Sequence, residues 1–360
     1  MSGVPNKKKN WELISTISVL VILSPWLLPS LKSVLVAVYD NPLQFFDYTL
    51  NGLNTGMLYG LIAIGYTMVY GIIQLINFAH GEICMLGAMV TATFVGWAFG
   101  LDAVAIPAAG FVIFMTAAAL LDGGFGILLD TVAYKPLRGS SRLSALITAI
   151  GMSLLLQNLA VMIWGAGAQT IKVPEGYTST AIFQIGGRLG IRVTFFHISI
   201  WAFTILAMFG LFFLVKKTRF GMAMRATAQN PTAASLMGIR LNQVVATTFF
   251  VGSFLGAIGG VAVAINKGSF DYQIGLYIGL VAFAAAVLGG IGSIPGAMLG
   301  GVIIGVVEAW AAGYLSKVSH PFTDGTLSTG YKEAVGFTVL ILIILLRPQG
   351  LLGSKGGDRA

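Results

Sequence analysis

The chain has 360 residues and a net charge of +8, yet only 9% of its residues are charged and 56% are hydrophobic. A soluble domain carries about a quarter charged residues, so this composition excludes a soluble globular protein and indicates an integral membrane protein. The basic residues are scattered between apolar segments without interleaved aromatics, which argues against a nucleic-acid-binding protein. The single cysteine, Cys84, excludes an internal disulfide and a cysteine-based metal cage.

The apolar segments have helical length and predict an all-α polytopic membrane protein with about 8–10 transmembrane helices, some of them interrupted or re-entrant. A first span is expected at residues 11–31, after Lys7–Lys9. No small-residue cleavage site marks this segment as a secretory signal. Nine further spans are expected at residues 48–70, 83–99, 103–121, 143–164, 193–215, 243–265, 276–290, 296–313 and 334–346. The segments 276–290 and 334–346 are short for a perpendicular span of roughly 20 residues, so half-helices or tilted helices are expected there.

The distribution of positive charge predicts that both termini lie in the cytoplasm, because cytoplasmic loops are enriched in Lys and Arg. This orientation places 14 of the 21 basic residues inside and 7 outside. It fits ten crossings, or eight crossings with one re-entrant pair. The expected organisation is an N-terminal tail, first span and outer loop at 1–47, a membrane domain at 48–352, and a C-terminal cytoplasmic tail at 353–360.

The polar stretch Gln74–Glu82 interrupts a long apolar region and is the first candidate functional segment. It contains Asn77, His80 and Glu82, and ionisable side chains in hydrocarbon usually have a functional role. The pattern predicts a helix that ends near Gly71, an irregular turn, and a new helix that begins near His80 to Glu82. Transporters use interrupted helices of this kind to bind solutes. The alternative is a short cytoplasmic turn in which the histidine and the glutamate cap the next helix.

The outer loop Gly165–Arg192 is predicted to form a small β-hairpin or cap, because glycines alternate there with apolar residues. The residues that favour turns are Pro174, Gly176, Gly186, Gly187 and Gly190. The loop either contacts a delivered solute or a partner protein, or serves as a plain connector.

The inner loop Lys216–Arg240 is predicted to form two short helices with a sharp corner. Met222–Gln229 lacks Pro and Gly and favours a helix. Asn230 stands where an N-cap belongs, Pro231 at the first helical position, and Gly238 at a helix stop. The small, weakly charged side chains of this loop suit docking into a groove of another protein. The alternative is an amphipathic element against lipid headgroups.

A second interrupted unit is predicted at Ala284–Trp310. Its helix breakers are Gly289, Gly290, Gly292, Pro295 and Gly296. Met298–Gly300 repeats the sequence of Met85–Gly87, so we hypothesise an internal repeat with a solute path between the two units. Glu308 is an isolated acid in an apolar run, and either belongs to that path or is paired with another helix.

Five motifs occur in a characteristic order: GLIAIGYTMVYGI, INFAHGE, AYKPLRGSSRLSALITAIGMSLLLQN, MRATAQNPTAASLMGI and AAVLGGIGSIPGAMLGG. They resemble the permease subunits of branched-chain amino acid ABC transporters, of the LivH type, and the resemblance covers Tyr48–Leu352. It implies a bacterial inner-membrane permease that pairs with a second, homologous permease subunit. It also implies two cytoplasmic ATPase subunits and a periplasmic binding protein that delivers the amino acid.

The candidate site residues fall into two sets. The expected substrate pathway or gate consists of Asn77, His80, Gly81, Glu82, Gly289, Gly290, Gly292, Pro295 and Gly296. The ATPase-coupling segment implied by the resemblance contains Gly221, Arg225, Ala228, Gln229, Asn230, Pro231 and Gly238. The chain departs from the family pattern at Gln229 and Asn230, where relatives often carry acids, and at Asp130, where a Glu is usual.

No GxxxxGK[ST] phosphate loop occurs in the chain, so ATP is expected to bind to partner subunits and the permease itself to need no cofactor. Closure of the ATPases is expected to push residues 216–240 and rotate packed helices, so that the path opens alternately to each side. Three alternatives stay open: a urea or amide ABC permease of the same family, a proton-coupled secondary carrier that uses His80 and Glu82, and a small-solute channel. An intramembrane enzyme is disfavoured, because no metal-spacing motif and no nucleophile beside a base is present.

Overall fold

The structure is a computed structural model that describes residues 32–74, 77–100, 106–138, 140–185, 191–318 and 326–353. Several predictions concern segments outside the described residues: Lys7–Lys9, the first span at residues 11–31, the outer-loop glycines Gly186, Gly187 and Gly190, and the C-terminal tail from residue 354.

Helices dominate the described chain. They are α1 (32–40), α2 (Pro42–Ile73), α3 (His80–Phe99), α4 (Ala108–Leu129), α5 (Arg142–Trp164), α6 (Phe195–Lys217), α7 (Arg219–Gln229), α8 (Pro231–Leu236), α9 (Leu241–Lys267), α10 (Ile274–Gly289), α11 (Ile294–Tyr314) and α12 (Lys332–Leu346). A π-helical turn, Asp130–Tyr134, and a 3-10 turn, Lys135–Leu137, extend α4. Two further 3-10 turns, Leu315–Lys317 and Thr329–Tyr331, lie between α11 and α12.

Eight helices of the described chain are long and apolar enough to cross a membrane: α2, α3, α4, α5, α6, α9, α11 and α12, some of them with their adjoining turns. The ninth apolar helix, α10, has only 16 residues. The prediction of an all-α polytopic membrane protein is therefore confirmed.

The predicted bounds are wrong at α4. The sequence suggests a span that ends at residue 121, because Asp122, Gly123 and Gly124 follow there. In the structure the helix continues to Leu129, and Asp122 is only 3% exposed. The glycines of this segment admit α9 at close range, since a Cβ at Gly123 would lie 2.7 Å from the Phe250 ring. The residues Asp122, Gly123 and Gly124, which are typical of a helix end, therefore lie inside α4, and Gly123 packs against α9.

The centre of the bundle is α2, which packs against α11, α9, α10 and α6. Glycines on one face let it approach α11 closely: a Cβ at Gly52 or at Gly56 would lie 2.6 Å from the Cα of Val306 or Val302, respectively. Small residues at such seams are the usual means of packing helices in membranes, where lipid gives no hydrophobic drive for helix association. The two helices run antiparallel.

The two ends of the bundle differ in structure. At the end that the charge distribution predicts to be the outer one, β1 (Ala181–Ile185) and β2 (Ile191–Thr194) form an antiparallel hairpin with Ile185 opposite Ile191, which confirms the predicted hairpin. Because α6 leads directly from β2 to α7, the short helices α7 and α8 lie at the opposite end, which is the predicted inner end. α9 then returns from α8 to the outer end.

Candidate functional site

The first helix break separates α2 from α3, as the sequence predicts. α2 ends at Ile73, two residues beyond the predicted end, and α3 begins at His80. Gln74 adopts a left-handed conformation with φ 51° and its N–H donates to the Tyr70 carbonyl at 2.9 Å. Asn77 is 2% exposed, and its Oδ1 accepts a hydrogen bond from the Tyr134 hydroxyl at 2.7 Å. The break is thus closed by a side chain from the end of the extended α4.

Glu82 is fully buried and connects three helices. Its Oε1 accepts hydrogen bonds from Ser153 Oγ at 2.9 Å and Gln157 Nε2 at 2.8 Å, both on α5. Its Oε2 faces Gly275 of α10, where a Cβ would overlap this oxygen. The residue before α3, Ala79, receives no side-chain cap. The capping interpretation of Glu82 is therefore wrong, since its polar bonds go to α5.

Glycines of neighbouring helices pack against His80 and Gly81. The His80 ring lies between α2 and α9, and a Cβ at Gly65 or at Gly256 would lie 3.3 Å or 3.2 Å from its Nε2. The Tyr66 ring meets the imidazole edge-on, with ring centroids 5.2 Å apart. Gly81 packs against the backbone of α10, where any Cβ would overlap the Gly275 carbonyl oxygen. No residue larger than glycine fits this contact without separating α3 from α10.

The second break separates α10 from α11. α10 ends at Gly289, and Gly290 and Gly292 follow with φ 101° and 93°. α11 starts with Pro295 in its first turn, and Ser293 Oγ caps it by accepting from the Gly296 N–H at 3.2 Å.

The C-terminal segment 347–353 fills this second break. The N–H groups of Leu351 and Leu352 donate to the carbonyls of Leu288 and Gly289, each at 2.9 Å. A Cβ at Gly290 would overlap the backbone nitrogen of Gly353. The second break is therefore closed by backbone and not by polar side chains.

The structure does not bring the two breaks together. Gly81 contacts Gly275 and Gly279 near the start of α10, whereas Gly289 ends that helix. The separation along α10 is about 15 to 20 Å at 1.5 Å per residue. The pathway residues predicted from the two breaks thus form two separate groups, and a common path has to run along α10.

The inner helices α7 and α8 have the predicted form. Asn230 caps α8, with its Oδ1 accepting from the Ala233 N–H at 3.0 Å, and Pro231 is the first residue of that helix. Gly238 ends the unit with φ 85°. Two apolar side chains at the end of α8, Leu236 and Met237, are 84% and 83% exposed.

Contacts tie these inner helices to the bundle. The Thr218 hydroxyl caps α7 at the Gly221 N–H, 3.1 Å away. Arg225 turns back and donates to the Val215 carbonyl at the end of α6. Gln229 is the last residue of α7, and the Gln74 amide donates to the neighbouring Ala228 carbonyl at 3.4 Å. The structure thus brings the predicted coupling segment next to the first break.

Sequence reasoning singled out Glu308 and Asp130 but missed the side chains that pair with these two buried acids. Glu308 is 4% exposed, and its Oε2 accepts from the Tyr59 hydroxyl, which also bonds the Tyr277 hydroxyl, both at 3.0 Å. This contact supports the helix-paired alternative for Glu308. Asp130 forms a two-bond ion pair with Arg138 at 2.6 and 2.7 Å. Polarity within apolar runs was the available signal for all of these residues. Among the described residues, no three His, Cys, Asp or Glu side chains are grouped to hold a metal ion.

Residues 48–344 match the family model described as branched-chain amino acid transport system / permease component. The chain is 41% identical over 314 residues to the high-affinity branched-chain amino acid transport system permease protein LivH of Salmonella typhimurium, covering 86% of this chain and 96% of that protein. It is 41% identical over 313 residues to BraD of Pseudomonas aeruginosa, with the same coverage. The probable LivH of Methanocaldococcus jannaschii is 30% identical over 305 residues, covering 81% and 88%. The chain therefore belongs to the family of permease components of branched-chain amino acid transport systems.

Proposed function

We propose that this chain is the transmembrane permease subunit of an ATP-driven importer for branched-chain amino acids. The observation that carries this proposal is the identity of 41% over 96% of the length of LivH and BraD, whose names give that transport system. The partners proposed are a second, homologous permease subunit, two cytoplasmic ATPases and a periplasmic binding protein. ATP binds to the ATPases, and the permease moves the amino acid without chemistry of its own.

The inner helices α7 and α8 are proposed as the docking point for an ATPase. Leu236 and Met237 are almost fully exposed at the corner between these helices and α9, and apolar side chains on a helical knob suit a groove in a soluble partner. Motion of the docked ATPase passes to α2 through the contact of Gln74 with Ala228. It then reaches the first break, where Asn77, His80, Gly81 and Glu82 form the proposed gate. Rigid-body movement of packed helices is an established way to switch access.

The second break, Gly289–Gly296, is proposed to anchor α10 and α11 while α3 moves against α10. Support comes from its backbone contacts with the C-terminal segment. Branched side chains would pass along apolar helix faces, and a substrate carboxylate favours helix N-termini such as that of α3.

Reconstitution of the complete complex in liposomes tests this function. We expect leucine uptake that requires ATP on the ATPase side and the binding protein on the other. Uptake driven by a proton gradient without ATP would identify a secondary carrier instead. Downhill flux through the chain alone would identify a channel, and ATP-driven uptake of urea but not of leucine would identify an amide permease.

The docking assignment has its own test. The double variant Leu236→Asp with Met237→Asp should lose ATPase subunits on purification, because a charged corner cannot enter an apolar groove. The matched control is Ile182→Asp on the outer hairpin, where the side chain is 55% exposed. Equal ATPase recovery from both variants would contradict docking at this corner.

A further inference from the structure

The outer end of the bundle contains a cavity whose lining includes no residue of either helix break and none of α7 or α8. It has a volume of about 260 Å³ and lies where α9 passes into α10. Its lining residues are Ala168, Lys267, Ser269, Phe270, Asp271, Gln273, Ile274 and Tyr277. Because α9 begins beside α8, this cavity lies at the end of the bundle opposite the proposed ATPase docking point.

Two distant chain segments build the cavity. Gln169 and Phe270 exchange backbone hydrogen bonds of 2.7 and 3.0 Å, so the loop after α5 is held against the loop after α9. Gly268 makes the turn out of α9 with φ 78°. The cavity is therefore a formed feature of the fold and not a gap between unconnected loops.

Lys267 and Asp271 carry opposite charges and line this cavity without forming an ion pair. The Lys267 ammonium lies 4.1 Å from the centroid of the Tyr277 ring, and Asp271 Oδ1 accepts from the Gln273 N–H at 2.9 Å. The one ion pair in the described part of the chain joins Arg138 to Asp130, so Lys267 and Asp271 are not bonded to each other. Asp271 and the nearby Glu333 attract the Lys267 charge without an ion pair to it, so Lys267 can bind an anionic group of a ligand and Asp271 a cationic one.

Apolar side chains complete the cavity beside the charges. Phe270 and Ile274 are each only 4% exposed, and Tyr277 presents its ring. The volume falls below the roughly 300 Å³ at which pockets for drug-sized ligands begin, which suits a single small amino acid better than a peptide or an oligosaccharide.

A polar connection leads from this cavity into the bundle. The Tyr277 hydroxyl bonds the Tyr59 hydroxyl, which donates to the buried Glu308 carboxyl, each at 3.0 Å. A molecule in the cavity thus stands next to polar groups that continue inward, whereas most of the bundle interior is apolar.

We propose that this cavity is a receiving site for a zwitterionic aliphatic amino acid on its way into the permease. Lys267 binds the carboxylate, Asp271 binds the ammonium group, and Phe270, Ile274 and Tyr277 surround the alkyl side chain. The site rests on the proposed function and adds to it the place where the substrate first contacts this chain.

Thiol labelling tests occupancy directly, because the only native cysteine, Cys84, is fully buried. In the complete complex, Ser269→Cys places a single accessible thiol in the cavity, and Ser179→Cys places one on the outer loop away from it. We expect leucine to slow maleimide labelling of the first variant several-fold and to leave the second unchanged. 3-Methylbutylamine, which lacks the carboxylate, and 4-methylpentanoate, which lacks the ammonium group, should each protect less than leucine.

The charges are tested by adding Lys267→Gln or Asp271→Asn to the labelled variant. Each should raise the leucine concentration needed for half-protection about tenfold or more, as expected for loss of a hydrogen bond to a charged group. Lys172→Gln and Glu175→Gln make the same charge changes on the outer loop outside the cavity, and should leave protection unchanged.

The possible outcomes distinguish a failure of the receiving site from a failure of the proposed function. ATP-driven leucine uptake without leucine protection at Ser269→Cys would overturn the receiving site and leave the function standing. Protection that survives both charge-removing variants would also overturn it. A complex that takes up no leucine would overturn the proposed function and, with it, this site.

Discussion

The break between α2 and α3 is filled by polar side chains from other helices, whereas the break between α10 and α11 is filled by the backbone of the C-terminal segment. Glu82 and Asn77 each hold a partner through hydrogen bonds that a rotamer change can release. Gly290 instead faces the backbone of Gly353 with no space for a side chain. Side-chain bonds allow alternative arrangements, and close backbone contact allows only one. We therefore expect the first break to change during transport and the second to stay fixed.

The largest effect is expected from Gly81→Leu. Its side chain would overlap the backbone of Gly275 on α10, and backbone cannot rotate away as a side chain can. Overpacking of this kind costs about 1–3 kcal/mol and sometimes more, so we expect a marked fall in the thermal unfolding midpoint of the detergent-solubilised complex. Gly71→Leu is the matched control, since a Cβ there meets nothing within 4 Å. Equal midpoints for the two variants would show that the contact of α3 with α10 is not tight.

A somewhat smaller loss of stability is expected from Gly290→Ala, which tests the second break. Both Gly290 and Gly292 have positive φ, so alanine at either position carries a conformational cost of about 1–3 kcal/mol. Only Gly290 also faces Gly353, while the space around Gly292 is open. Gly290→Ala should therefore lower the unfolding midpoint more than Gly292→Ala and speed trypsin cleavage after Arg347, which is exposed but held in the C-terminal segment. Indistinguishable variants would mean that the C-terminal segment does not seal this break.

Substitution of Glu82 should affect transport more than assembly. Glu82→Leu leaves the Ser153 and Gln157 donors without their acceptor, which costs about 1–3 kcal/mol per buried group, and we expect leucine uptake to fall about tenfold or more with subunit assembly intact. Glu82→Gln keeps an acceptor oxygen and separates the need for charge from the need for a hydrogen bond. Glu175→Leu on the exposed outer loop serves as the control. Normal uptake by Glu82→Leu would remove this residue from the gate.

The smallest effect is expected from Tyr134→Phe, which removes one hydrogen bond to Asn77. Such a bond contributes about 0.5–1.5 kcal/mol, so the unfolding midpoint should drop slightly and uptake should persist. Tyr331→Phe controls for loss of a hydroxyl, because its side chain is 55% exposed. A large loss of uptake by Tyr134→Phe alone would mean that the position of Asn77 governs the gate more tightly than its single bond suggests.

Local signals in the sequence were sufficient for several features. Asn230, Pro231 and Gly238 define α8 through capping and backbone preferences that act over a few residues, and the structure has the helix where they place it. The polar stretch after α2 likewise marked a real break. The internal repeat stays a hypothesis, since the structure supports only the shared outline of helix, break and helix.

The composition and the spacing of apolar residues by themselves determined a helical membrane protein, its interrupted helices and its inner corner, because each depends on preferences between near neighbours in the chain. Only the tertiary structure decided that Glu82 bonds Ser153 and Gln157 and that Lys267 shares a cavity with Asp271. It also decided that residues 347–353 close the second break. These pairings depend on the register between packed helices, and contacts between glycines set that register: Gly81 and Gly275 meet although they are 194 residues apart in the chain. No local pattern encodes that register.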